Sequence, residues 1–176
     1  ACEFFIFGRK LSLTLRKVSD FRSKILVVPF CDSKLSYYPG NYILSRSSLF
    51  REKVIEKDKL VAAGEVYFQK AINIPNYEAL AFLKIDKGEV SDSLEKGVEA
   101  ILKNASKLSV NVKFDSLVFP ISEELCEAET LLKIFSKHLE TYKGIKEVYL
   151  ATKDYSFFAK SMVGYQKYIE EAVDNN

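Results

Sequence analysis

Five groups of residues in this 176-residue sequence have side chains able to do chemistry. Asp32 and Ser33 follow closely on the apolar run Ile25 to Val28, just past a strand's carboxyl end, where Asp32 can hydrogen-bond a ribose or act as a general base. An Asp at such a place also starts turns and caps helices. Glu123 and Glu124, followed by Glu127 and Glu129, offer an acidic rim for a metal or a basic partner, or carboxylates favoured by the positive end of a helix dipole. No other acidic string is placed to complete a metal site, so no metal and no cofactor are expected. Tyr37, Tyr38 and Tyr42 surround the pair Pro39-Gly40 and suit either stacking on a base or a partner's surface, or packing over the end of a core. Cys31 needs a nearby base to act as a nucleophile. His138, the one histidine, stripes badly with Leu132, Phe135 and Leu139, so an inert buried Cys31 is expected. Lys10, Lys17 and Lys34 can attract phosphate, although scattered lysines are ordinarily solvated.

These residues need elements to hold them. Ile25 to Val28, ended by Pro29, has the continuous apolar pattern of a strand covered on both faces. Strand, irregular loop and helix then follow in order, the arrangement in which open α/β sheets bind ligands. The helix is expected to run from Tyr42 to about Asp58. Upstream, Glu3 to Gly8 and the alternating Leu11, Leu13 and Leu15 predict a hairpin turned at Gly8-Arg9-Lys10, its second strand half exposed. Downstream, strands are expected at Glu65 to Ile74, Ala79 to Ile85, Ser116 to Ile121 and Ile145 to Thr152. Asp92 and Glu95 have the spacing of a capping box for a helix striped by Leu94, Val98, Ile101, Leu102, Ala105 and Leu108. A second helix is striped from Leu125 to Leu139 and stopped by Gly144. Asp154 is placed to cap a last helix carrying Phe158, Met162, Tyr165, Ile169 and Val173. Strands alternating with helices in the second half imply βαβ units on a mostly parallel sheet.

Length suits one domain over residues 1–176 with a sizeable core. A net charge of +2, from 26 basic and 24 acidic residues, gives no electrostatic footprint for nucleic acid or a membrane surface. Three cysteines, Cys2, Cys31 and Cys126, without C-x-x-C spacing argue against a disulfide framework or a zinc site. No apolar run is long enough to span a bilayer or to read as a signal peptide, so a cytoplasmic protein is expected. One Met, no Trp and many Lys and Glu lean toward heat-adapted usage.

Several strings resemble the macro domain, a family that binds ADP-ribose and in some members hydrolyses its esters. LSLTLRKVSDF before KILVVPFCDSKL is similar to the family's opening strand and N-A-A-N strand, and GEVYFQKAINIPNYEALAFLKI to its glycine-led pair of strands. SLEKGVEAILKNASKL and DSLVFPISEELCEAETLLKIFSKHL resemble its helix, F-P strand and helix, and IKEVYLATKDYSFFAKSM its last strand and helix. The resemblance implies a three-layer α/β fold, a mixed central sheet with helices on both faces. It also places a pocket between two loops, with Asp32, Ser33, Gly40 and Asn41 on one and Ile121, Ser122 and Glu123 on the other.

The chain departs from the family's pattern at the positions the family uses. Lys17-Val18 stand where an Asp would bind the adenine amino group, and Pro29-Phe30-Cys31-Asp32 replace N-A-A-N. Tyr37-Tyr38-Pro39-Gly40 replace a glycine-rich loop, and Ile121-Ser122-Glu123-Glu124-Leu125 replace a second one with no glycine. Glycine permits the close backbone approach of an anion-cradling nest, and carboxylates repel a pyrophosphate. Three functions are therefore expected in this order: weak or lost binding of ADP-ribose or a related nucleotide, a non-catalytic module for a protein partner or a homodimer, and hydrolysis of ADP-ribosyl or acyl esters with Asp32 activating water.

Overall fold

The computed structural model describes residues 2–174. Seven strands, β1 (Cys2–Ile6), β2 (Arg9–Leu15), β3 (Ile25–Phe30), β4 (Val66–Lys70), β5 (Ala79–Lys84), β6 (Ser116–Pro120) and β7 (Glu147–Thr152), form one sheet in the order β1-β2-β7-β6-β3-β5-β4. The five inner strands are parallel, and β1 and β4 are antiparallel edges. The helices α1 (Gly40–Arg46) and α2 (Leu49–Asp58) cover one face, while α3 (Val90–Asn104), α4 (Ala128–Leu139) and α5 (Tyr155–Asp174) cover the other. This is the three-layer mixed-sheet α/β architecture expected from the sequence. No described helix is long and apolar enough to cross a membrane.

Alternation along β3 explains why both faces are covered. Ile25 and Val27 pack with Leu94, Val98, Ile101, Leu131 and Phe135 of the three-helix face, and Leu26, Val28 and Phe30 pack with Ile43, Phe50 and Val54 of the other. Helices of 7 and 10 residues are too short to persist alone. Each of the three buried side chains that α1 and α2 contribute is worth roughly 1.5–3 kcal/mol of apolar burial, which is what holds them on the sheet.

Strand β3 continues through Pro29 instead of ending there, because the missing N–H costs no ladder bond. Phe30 accepts from the Ile85 N–H at 2.8 Å on the β5 side, so Pro29 faces the β6 side. There the β3–β6 pairing stops after Ile25–Leu117 and Leu26–Val118. Beyond those two pairs the strands part at their carboxyl ends.

Other local expectations give way to tertiary context. The single helix expected from Tyr42 to Asp58 is two, since Ser47 is extended (φ −158°, ψ 122°). The β1–β2 hairpin turns at Phe7 and Gly8, both left-handed (φ 51° and 75°). Strand β2 is more buried than half exposed, with Ser12 at 2% exposure, because it lies inside the sheet between β1 and β7. Helix α3 begins at Val90, and its expected capping box does not form. Asp92 instead pairs with Lys96 at 3.0 Å, and Glu95 meets Lys137 and His138 of α4. Helix α4 starts at Ala128, after a separate turn in which the Ser122 carbonyl accepts from the Leu125 and Cys126 N–H groups, and it ends at Leu139, short of Gly144. The Asp154 cap on α5 is present, its Oδ1 accepting from the Phe157 N–H at 2.9 Å. Of the α5 stripe, Tyr165 is buried and Phe158, Met162 and Ile169 are partly so; the side chain of Val173 lies outside those described.

A polar cluster ties β5 to the end of α2. The Lys84 ammonium lies 3.2 Å from Asp58 Oδ1 and donates to the carbonyls of Asp58 (2.7 Å) and Val61 (3.0 Å), and Ser33 Oγ donates to Asp58 Oδ2 at 2.9 Å. Burial disfavours the Asp58 charge, but the hydrogen bonds from Ser33 and Lys84 and the charge of Lys84 outweigh it. They hold the carboxyl below its ordinary range. Asp58→Asn is expected to destabilise the fold by about 1–3 kcal/mol near neutral pH, read from denaturant midpoints. A carboxyl with a depressed folded-state value stabilises fully above its unfolded value of about 3.9 and loses that contribution as the pH falls through the folded one. The difference between wild type and variant should therefore shrink below about pH 4.

Candidate functional site

The parting of β3 and β6 opens a crevice at the carboxyl edge of the sheet, at the point where the chain leaves β3 for one side and returns from β5 to the other. Two cavities occupy it. One, of about 180 Å³, is lined by Tyr38, Ile121, Ser122, Glu123, Glu124, Thr152, Lys153, Asp154 and Phe157. The other, of about 540 Å³, is lined by Ser36, Tyr37, Lys87, Val90 and Glu124. Consecutive tyrosines face the two halves, and Glu124 borders both.

Tyr38 bridges the crevice. Its hydroxyl accepts from the Val18 N–H at 2.8 Å, on the connection after β2. The Lys153 ammonium, on the connection after β7, lies 5.1 Å from the centre of its ring. Burial pushes the Tyr38 hydroxyl's pKa up, only partly offset by that hydrogen bond. Val18, almost fully buried, is held further by Tyr77, whose hydroxyl donates to the Val18 carbonyl at 2.6 Å. The segment where the resemblance places an adenine contact is thus filled by the chain's own side chains. Tyr37 is 6% exposed and Tyr38 is half-buried.

The sequence-derived site residues fall into two sets. Ile121, Ser122 and Glu123 lie together in the smaller cavity. Asp32, Ser33, Gly40 and Asn41 do not line it. Asp32 and Ser33 are both left-handed (φ 52° and 62°) and form a tight turn closed by Cys31 N–H to Lys34 O (3.2 Å) and Lys34 N–H to Cys31 O (2.9 Å). The turn reading of Asp32 is the geometry found, and Ser33 is engaged with Asp58. The Gly40 N–H is used by the Tyr37 carbonyl at 2.7 Å, and a Cβ there would sit 1.9 Å from the Leu35 carbonyl oxygen. Asn41 is exposed on α1.

The acidic string divides, with Glu127 the N-cap residue of α4 and Glu129 in its first turn, where the helix dipole favours carboxylates. The turn at Ser122 to Cys126 separates Glu123 and Glu124 from α4, whose first-turn acid is Glu129. Their carboxylates therefore border the cavity, with Asp154, against the single ammonium of Lys153. Among the described residues no cluster of His, Cys, Asp and Glu is arranged to hold a metal. Cys31 is buried, and burial, with help from neighbouring Asp32, raises its thiol's pKa, as for an inert residue. His138 faces Glu95 and Glu99 at 3.4 Å each, far from any role with Cys31.

Thr152, Lys153, Asp154 and Phe157 were not singled out as cavity residues by sequence, although the signal existed. They too follow a strand's carboxyl end and open a helix, and Asp154 was legible only as a cap.

With this geometry in hand, the fold is that of the macrodomain. A mutant Oceanobacillus iheyensis macrodomain with ADPR superimposes with a TM-score of 0.77 at 12% identity, over 96% of this chain and 98% of that one. The Trypanosoma brucei macrodomain in complex with ADP gives 0.68 at 16%, over 90% and 69%, and the macrodomain of Thermus aquaticus DarG gives 0.62 at 11%, over 81% and 97%. No family model matches the sequence, and no curated protein matches it.

Two substitutions probe the crevice wall. Tyr38→Phe leaves the buried Val18 N–H without its acceptor and is expected to cost about 1–2 kcal/mol of stability in denaturant unfolding. Gly40→Ala forces a methyl onto backbone that cannot yield and is expected to cost roughly 2–4 kcal/mol in the same measurement.

Proposed function

We propose that this chain is a non-hydrolytic binding module on the macrodomain fold, whose crevice takes a nucleoside-like or ribosyl group but grips ADP-ribose only weakly. The observation that carries this reading is the smaller cavity: about 180 Å³, closed on one side by Tyr38 and bordered by Glu123, Glu124 and Asp154 against Lys153 alone. That volume is below the roughly 300 Å³ at which small-molecule sites usually begin, so a ligand that extends from the larger cavity into this half must displace Tyr38. Displacement breaks the bond to Val18 and the stacking under Lys153. The Glu123 carboxylate and the Ser122 hydroxyl can accept from the hydroxyl groups of a sugar, whereas a pyrophosphate beside Glu123 and Glu124 is repelled. Ile121 forms the apolar floor.

The weaker case is hydrolysis. Asp32 is held in a tight turn that borders neither crevice cavity, so no carboxylate set by that turn meets a water next to Ile121 or Ser122. The docking reading loses the support of Tyr37, which is buried, and keeps only the half-buried Tyr38.

Isothermal titration tests the proposal. ADP-ribose should show no saturation below about 1 mM, equivalent to a binding free energy no better than roughly −4 kcal/mol. The double variant Glu123→Gln with Glu124→Gln should tighten it by about three- to tenfold, with the gain shrinking as salt is raised. Micromolar binding to the wild type, or a double variant no tighter than wild type, would overturn the reading.

A further inference from the structure

A second cavity, of about 350 Å³, lies outside the crevice, in the corner between the Asp32-Ser33 turn and the two short helices. Its lining is apolar in the middle and cationic at the rim. Leu35, Leu44, Val54 and Ile55 supply the walls, and Lys34 and Arg51 are the charged residues. Leu35 and Val54 are buried, while Ile55 remains 44% exposed, an apolar side chain left facing the opening.

The corner has a structural cause. Ser47 breaks what would have been one helix, so α1 and α2 meet at an angle and cannot close over the loop before them. Arg51, Val54 and Ile55 are three and four residues apart on α2 and therefore share the face turned to that loop. Lys34 reaches the same rim from the turn. Among the described residues neither Lys34 nor Arg51 is within ion-pair distance of a carboxylate, and of the described cations without such a partner these two line this cavity. Asp58, at the end of α2, is engaged by Lys84 and Ser33, and the exposed carboxylates of Asp32, Glu52 and Glu56 make no ion pair with either cation. Two uncompensated cations beside a partly open apolar hollow fit one kind of occupant.

We propose that this corner binds a small amphipathic carboxylate, its alkyl or aryl body between Leu44, Val54 and Ile55 and its charge between Lys34 and Arg51. The volume is at the small end of the roughly 300–1,000 Å³ of small-molecule sites, which favours a free acid of short to medium chain over a polypeptide segment. The charge pattern excludes a cation and gives an uncharged alcohol nothing to hold. This site is independent of the crevice and does not rest on the function proposed for it.

Displacement of anilinonaphthalene sulfonate, itself an apolar anion, provides the test on the full chain. Octanoate should displace the probe, and octylamine of the same length should do so at least about tenfold less well. Lys34→Gln with Arg51→Gln should weaken octanoate by about tenfold without changing the melting temperature, both residues being exposed. Backbone amide shifts on adding octanoate should cluster at Ser33 to Ser36 and Arg51 to Ile55. The variant Glu123→Gln with Glu124→Gln should bind octanoate as wild type does, which separates this site from the crevice. Equal displacement by octanoate and octylamine, an unaffected lysine–arginine variant, or shifts centred on the crevice would each overturn the proposal.

Discussion

Strands β3 and β6 share two paired residues and then diverge, and the site is a consequence of that. A gap between parallel strands exposes unpaired backbone polar groups and the ends of both apolar layers, and something must occupy it. Here the occupant is covalently part of the chain. Tyr38 spans from the Val18 N–H to the Lys153 ammonium, so the two walls of the crevice are joined across the space a ligand would need. A phenol already satisfied at its hydroxyl and stacked under a cation is harder to displace than water.

The loop that carries Tyr38 is fixed at both of its ends. At one, the left-handed pair Asp32-Ser33 closes on Cys31 and Lys34 and is fastened to Asp58. At the other, Gly40 brings the start of α1 against the Leu35 carbonyl more closely than any side chain allows. The one glycine left in this loop is therefore used for packing the chain against itself. Its N–H, which could have faced an anion, is spent on Tyr37. Tight packing at Gly40 and the placement of Tyr38 across the crevice thus belong to one loop geometry.

What the sequence made legible follows physical strength. The β3 run, the βαβ alternation and the Asp154 cap rest on strong, local signals, and they are found where periodicity and capping chemistry place them. The failures have tertiary causes. The capping box at Asp92 lost Asp92 to Lys96, one turn on in the same helix, and Glu95 to Lys137 and His138, partners that exist only once α3 packs on α4. The break at Ser47 was hidden because α2 has no apolar stripe to mark where a new helix begins. At the site, Ile121, Ser122 and Glu123 were readable as a strand end. The left-handed turn at Asp32 and the cavity residues from Thr152 to Phe157 depend on backbone conformation and on which strand ends become neighbours, and a linear pattern records neither.

The margins of the sheet have a bearing on how the molecule behaves in crowded solution. Both outermost strands, β1 and β4, run for five residues and oppose the direction of the parallel centre. A neighbouring copy that tried to extend the sheet would find only a short ladder to grip at either side. Growth by joining one sheet edge to the next is thereby discouraged by geometry, despite a centre rich in the branched and aromatic residues that favour strand pairing.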